Sequence, residues 1–178
     1  MKKLFAALLS LCLLLTGVAA IAEGTADQPI IVNVADYESQ IAATEGQFAT
    51  IGATGLKMFV PAEFKDTQLT EEARNNGMLM LLKAEGKDVA VTSQVVDTDR
   101  ESYIALAAAA GHTTRETIIN GVKYIQFSVV SNGNIATSFA LPTTDGRTLV
   151  FTFAFAENLK DAYTDVIKMM AASLQPAK

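Results

Sequence analysis

The chain has 178 residues, with 14 basic and 19 acidic side chains, a formal net charge of −5, one cysteine, one histidine and no tryptophan. An acidic balance without clustered Lys and Arg excludes the phosphate-reading surface of a nucleic-acid binder. It also argues against adsorption to an anionic lipid surface, and one cysteine excludes an internal disulfide.

At the N-terminus, Lys2 and Lys3 precede an apolar run from Leu4 to Leu15, and small residues end in Ala20-Ile21-Ala22 before Glu23. This is the n-region, h-region and A-x-A site of a secretory signal peptide spanning residues 1–22. The expected location is secreted or periplasmic, after cleavage near Ala22. Cleavage removes Cys12, and taking Lys2 and Lys3 from the 14 basic residues leaves 12 against 19 acidic ones, a net of −7. The remaining 156 residues, 23–178, are one domain's worth of chain. An alternative keeps Leu4 to Ala22 as a membrane anchor, since 19 residues diluted by Ser10, Thr16 and Gly17 can span a bilayer. The small-residue ending favours cleavage. Lipidation is disfavoured because Leu11 precedes Cys12 in the middle of the run. No stretch after Leu15 is long and apolar enough for a second span, so the mature chain is expected to have none.

Residues 23–45 read as a tether, marked by Gly24 and Pro29. It carries a short strand at Ile30-Ile31-Val32 and a short helix from Asp36 to Thr44, with Tyr37, Ile41 and Ala42 on one side. Residues 46–178 read as a single α+β domain. Gln47–Ile51 and Leu56–Val60 flank Gly52-Ala53-Thr54-Gly55 as a hairpin. Leu56, Met58 and Val60 point one way, Lys57 and Phe59 the other, and Pro61 ends the strand. Thr70 to Asn75 makes a helical turn stopped by Asn76-Gly77. Met78–Lys83 and Asp88–Val96 are strands joined at Gly86-Lys87. Thr98-Asp99-Arg100-Glu101 fits a capping box with Thr98 as the cap. The helix it opens, Asp99 to Ala110, sets Tyr103, Leu106 and Ala107 on one side and stops at Gly111. Its alanine run Ala107 to Ala110 favours helix and close approach to a sheet.

Three turn signals follow: Asn120-Gly121, Asn132-Gly133 and Asp145-Gly146. Each tolerates the positive φ of a type I′ turn, so the strands Thr114–Ile119, Val122–Val130, Ile135–Leu141 and Arg147–Ala156 form an antiparallel meander. In the last strand Leu149, Phe151, Phe153 and Phe155 share one face and Val150, Thr152 and Ala154 the other. Leu159 to Leu174 closes the chain as an amphipathic helix. Its stripe is Leu159, Tyr163, Val166, Ile167, Met170 and Leu174, with Lys160, Asp161, Asp165 and Lys168 opposite.

The segment Gly55-Leu56-Lys57-Met58-Phe59-Val60-Pro61-Ala62-Glu63-Phe64 resembles the opening hairpin of the PsbP-like superfamily, which includes DcrB-like exported bacterial proteins. There, a strand G-[ILF]-x-[FM]-x-[VYI]-P runs into an aromatic residue three places after the proline. That residue is Phe64 here, where the family often has tryptophan. Asn120-Gly121-Val122-Lys123-Tyr124 is similar to the family's central hairpin. Asp145-Gly146-Arg147 through Ala156, with the helix ending Ala171-Ala172-Ser173-Leu174, is similar to its closing strand and helix. The resemblance covers residues 47–175. It implies an α/β/α sandwich around an antiparallel sheet of about six to eight strands. The family includes photosystem subunits, a nuclear-transport binding protein and envelope proteins, and it has no shared active site. The resemblance therefore implies binding or accessory roles and transfers no functional residue.

The residues themselves nominate no catalytic, cofactor-binding or metal site. His112 is the sole imidazole, and its place after Gly111 reads as capping of a helix C-terminus, where the dipole favours a charged ring. Asp97, Asp99 and Glu101 form a D-x-D-x-E run, but the glycine and distant glutamate of a calcium loop do not follow in register. Glu71-Glu72 suits a helix N-terminus. Met78, Met80, Met169 and Met170 sit in periodic segments, which suits core filling more than an adaptable pocket. No G-x-S-x-G, Walker sequence or G-x-G-x-x-G occurs. The leading expectation is an exported, non-catalytic binding or accessory domain without a cofactor, whose partner is a protein or envelope component. The alternatives are a carrier enclosing an apolar ligand near Phe151, Phe153 and Met170, and a hydrolase working through carboxylates.

Overall fold

A computed structural model describes residues 29–177. The expected signal peptide, residues 1–22, and the first part of the expected tether, residues 23–28, lie outside the described residues. In chain order the elements are β1 (Ile30–Val32), α1 (Glu38–Ala43), β2 (Gly46–Thr50), β3 (Leu56–Pro61), β4 (Phe64–Asp66), α2 (Glu71–Asn75), β5 (Met78–Ala84) and β6 (Val89–Val96). Then follow α3 (Arg100–Ala109), β7 (Arg115–Ile119), β8 (Val122–Ser131), β9 (Asn134–Pro142), β10 (Thr148–Ala156), α4 (Lys160–Ala172) and β11 (Gln175–Pro176).

The meander forms as the turn signals predict and becomes the middle of an eight-stranded sheet in the order β1-β7-β8-β9-β10-β6-β5-β4. Every pairing in it is antiparallel except the outermost, where β1 lies parallel to β7. The hairpin of β2 and β3 stands apart: with β11 it makes a second sheet in the order β11-β3-β2. Asn120-Gly121 and Asn132-Gly133 adopt positive φ at both residues, as type I′ turns require. The third turn differs. Gly146 has positive φ and Asp145 does not, and the loop 143–147 closes by Gly146 N–H donating to the Thr143 carbonyl (3.2 Å) and Thr143 N–H to that of Arg147 (2.8 Å). A wider loop built on Asp145 side-chain bonds replaces the two-residue turn.

The two faces of the large sheet are filled unequally. On one face Leu149, Phe151, Phe153 and Phe155 of β10, Val89 and Val91 of β6, and Phe139 of β9 meet Tyr163, Ile167 and Met170 of α4 and Leu56, Met58 and Val60 of β3. Phe139 and Phe153 meet edge to face at 5.8 Å, which adds to their area burial. The other face is covered by α3 through a small separate cluster of Ala107, Phe127 and Val129, with Tyr103 packed against it. Met80, Met169 and Met170 are buried, so these methionines fill core.

Three helix details depart from the sequence reading. The cap of α3 is Asp99, not Thr98: Asp99 Oδ1 accepts from the N–H of Glu101 (3.0 Å) and Ser102 (2.9 Å), and Oδ2 from Ser102 Oγ (2.7 Å). Asp, one residue nearer the first turn, reaches both free N–H groups, and its carboxyl is held below its usual pKa by the Ser102 bonds. Leu106 does not share the buried side with Tyr103 and Ala107; it is 61% exposed. The closing helix begins at Lys160, after a tight 3-10 turn over Glu157–Leu159. Leu174 lies beyond its end yet is fully buried, so the apolar stripe holds while the helix stops short.

Candidate functional site

Among the described residues, strand β2 is one of the edges that leave polar backbone open, as β1 and β4 are at the ends of the larger sheet. Strand β2 is exposed at every position but Ala49, and it is the last strand of its sheet. Ile51 N–H donates to the Leu56 carbonyl and Ala62 N–H to that of Glu45, so the odd-numbered residues bond toward β3. By the alternation of an antiparallel ladder, Gly46, Phe48 and Thr50 aim their N–H and C=O groups at the free edge. Phe59, opposite Phe48, agrees: its N–H turns away from β2 and donates to Ser173 Oγ at 2.8 Å. Edge strands are ordinarily blunted by charge, proline or a bulge. The sequence Gly46-Gln47-Phe48-Ala49-Thr50 has no charge and no proline, and its register with β3 is continuous.

One aromatic ring marks this edge. Phe48 is 43% exposed, meets Phe59 edge to face at 5.7 Å, and has Lys57 Nζ over it at 5.7 Å from the ring centre. The arrangement offers an extended peptide three things: main-chain donors and acceptors, an apolar anchor and a cation. A strand carrying a single large apolar residue, Phe48, among small and polar ones was the available signal for it, and the hairpin reading passed over it.

A second polar group joins three elements at the start of α4. Tyr163 Oη donates to Glu63 Oε2 at 2.7 Å, Lys87 Nζ lies 3.5 Å from that oxygen, and Lys87 sits 5.1 Å from the centre of the Tyr163 ring. Tyr163 and Glu63 hold Lys87 above its ordinary pKa, and burial pushes the Tyr163 phenol up. The group staples α4 to the turns before β4 and β6, and it brings in one carboxylate where a hydrolase would need two.

The other sequence candidates have structural employment. Thr70 caps α2 by accepting from Ala73 N–H at 3.1 Å, and Glu71 and Glu72 occupy its first turn. Asp99 is committed to the α3 cap, and among the described residues no three His, Cys, Asp or Glu side chains converge as a metal site would. Phe151, Phe153 and Met170 are wholly buried in the main core. His112 does not cap its helix through the ring as expected. Its backbone N–H donates to the Ala107 carbonyl (3.0 Å) and that of Gly111 to Ala108 (2.9 Å), while the imidazole is buried against Phe127. Arg147 and Thr143 hold the Asp145 carboxyl well below the usual range, through Nη2 and Nε bonds of 2.6 and 2.9 Å from the guanidinium.

Asn120 does more than turn the chain. Its Nδ2 donates to the carbonyls of Ala172 (2.8 Å) and Leu174 (2.7 Å), and its Oδ1 accepts from Val34 N–H (2.7 Å). Its own N–H donates to the Val32 carbonyl at 3.0 Å. Asn120 thus clasps the end of α4 to the meander through its side chain, and the end of β1 and the turn after it through backbone and side chain together. Tyr124 Oη and Ser93 Oγ are buried in the core without a hydrogen-bond partner among the described residues, and burial pushes the Tyr124 phenol up to about 12.

No family model and no curated protein sequence matches the chain. Solved structures do. A cyanobacterial PsbP (CyanoP) from Synechocystis sp. PCC 6803 aligns with a TM-score of 0.55 at 10% identity, over 75% of this chain and 94% of that one. The Ran-binding protein Mog1p of Saccharomyces cerevisiae aligns at 0.47 and 9% identity, over 75% and 96% of the two chains. LpqN, involved in cell envelope biogenesis of Mycobacterium tuberculosis, aligns at 0.45 and 12%, over 82% and 98%. With its eight-stranded sheet, closing helix and helix-covered second face, and with the cyanobacterial PsbP superposing over nearly its whole length, this chain has the PsbP-like fold.

Proposed function

We propose that this chain is an exported, non-catalytic binding or accessory domain of the bacterial cell envelope or extracellular space, and that it takes up an extended segment of a partner protein along the free edge of β2. The observation that carries the reading is the outward row of main-chain groups at Gly46, Phe48 and Thr50 beside the exposed Phe48 ring. Added-strand recognition draws affinity from such main-chain bonds and selectivity from side-chain anchors at alternate positions. Export through residues 1–22 supplies the compartment, and N-terminal sequencing of the exported protein tests it. A start at Glu23 supports cleavage, and retention of the apolar segment supports the anchor instead.

The binding test uses the mature protein, residues 23–178, as bait for native envelope extract, with mass spectrometry of what is retained. Wild type and Phe48→Ser are run in parallel. A specific protein held by wild type and reduced roughly tenfold by Phe48→Ser, about the worth of one apolar anchor, is the expected result. Equal retention by both baits, or no specific protein, overturns the edge-binding reading.

A further inference from the structure

Helix α3 is held to the sheet by little. Its inward residues are the buried Ala107 and the half-buried Tyr103 and Ile104, of which Ala107 and Tyr103 meet Phe127 and Val129 of β8 in a cluster separate from the main core. Its C-terminus closes as a Schellman motif. Gly111 takes the left-handed conformation at φ 83°, its N–H bonds the Ala108 carbonyl, and the next residue's N–H bonds that of Ala107. The residue after the glycine in this motif commonly folds back as an apolar contact on the last turn. Here that residue is His112, 5% exposed, its ring stacked on Phe127 at 5.6 Å with 18° between the planes. Among the described residues, neither ring nitrogen has a hydrogen-bond partner.

This pocket accepts a neutral imidazole better than a charged one. The imidazolium carries two N–H donors and a charge, and burial without acceptors disfavours both. Burial accordingly holds the His112 pKa below its ordinary 6.5.

The surrounding charges do not compensate. On the α3 face of the sheet, Lys123 of β8 and Glu116 of β7 pair with each other at 3.5 Å. β9 presents Ala136, Ser138 and Ala140 there, and β10 Val150, Thr152 and Ala154, none of them titratable. From α3 itself comes Tyr103, 6.1 Å from Phe127, while Arg100 and Glu101 belong to its opposite end. Arg115 belongs to the other face, in register with Gln126. The helix C-terminus favours a cation, but its Ala107 and Ala108 carbonyls already accept backbone bonds.

We propose that His112 is an acid-operated latch: neutral, it holds the C-terminal half of α3 on the sheet; protonated, it leaves Phe127 and α3 lifts. Lifting uncovers Phe127 and Val129 while the main core on the opposite face stays closed. The sign follows from proton linkage. The released ring binds a proton more readily than the buried one, so the lifted state gains as pH falls below about 6.5.

The test is amide hydrogen exchange of the exported protein, corrected for intrinsic rate, at about pH 7.5 and about pH 5, on either side of the free imidazole value. Wild type should lose roughly tenfold or more of its protection at residues 107–112, with β9 and β10 unchanged, since one proton contributes up to about tenfold per pH unit. His112→Phe keeps the stack and cannot titrate, so it should show no such loss. His112→Leu serves the same purpose should the phenylalanine variant not fold. Equal wild-type protection at the two pH values, or the same loss in the non-titrating variant, overturns the latch.

Discussion

In the eight-stranded sheet, β9 and β10 are paired on both sides and covered on both faces, and Phe151 and Phe153 are completely buried. In the three-stranded sheet, β3 is just as enclosed, yet β2 beside it is exposed at all positions but one and turns a row of main-chain groups outward. Both follow the same two-residue alternation. What separates them is covering: the large sheet receives α4 and the small sheet on one face and α3 on the other, whereas no described strand lies against the outer edge of β2. The difference divides the molecule into a scaffold, where substitutions cost stability, and a margin, where they should cost binding.

The sharpest way to break that division is to cut into the scaffold. Phe153→Ala removes a ring packed against Phe139 in the main core and should destabilise by about 3–5 kcal/mol in urea unfolding. A loss under about 1 kcal/mol would mean that this face is not packed as described. Next comes Asn120→Ala, expected at about 2–4 kcal/mol, because it forces alanine into φ 50° and leaves the Ala172 and Leu174 carbonyls and Val34 N–H without their partner. Asn120→Gly relieves the backbone and loses the same side-chain bonds, so the gap between the two variants reports the strain of alanine at φ 50° less the extra unfolded-state entropy of glycine. If both match wild type, the clasp contributes nothing.

Smaller effects decide finer points. Asp99→Ala should cost about 1 kcal/mol as a lost N-cap, and Thr98→Ala less than about 0.5 kcal/mol. The reverse order would return the cap to Thr98. At the margin, Phe48→Ser should cost about 1 kcal/mol, since it gives up the edge-to-face contact with the buried Phe59, and Thr50→Pro under about 0.5 kcal/mol, since it removes no bond to β3. A loss of several times that would make β2 part of the scaffold.

How far the sequence carried depended on the range of the interaction. The meander, the aromatic face of β10 and the stripe of α4 were legible because period, turn residues and helical spacing are local properties. The separate small sheet was not, because its third strand, β11, comes from the far end of the chain and carries two residues. Asn120 was legible as a turn residue and illegible as a clasp, since its partners Ala172 and Leu174 lie at the other end of the chain. Thr98 against Asp99 shows a local ambiguity: both are capping residues one position apart, and only the geometry of the first turn selects Asp99. His112 was placed correctly at the helix end, but whether its ring reaches a carbonyl or folds onto Phe127 depends on β8. The free edge of β2 was hidden for the same reason, because an edge is defined by what fails to pair with it.

That edge carries the functional account, and amide exchange at Phe48 and Thr50, with and without the captured partner, addresses it most directly. An added strand should slow exchange at these two outward N–H groups by roughly a hundredfold or more, as expected when free strand groups become paired, while β9 and β10 stay as they were. Unchanged exchange at Phe48 and Thr50 in a saturated complex would contradict it.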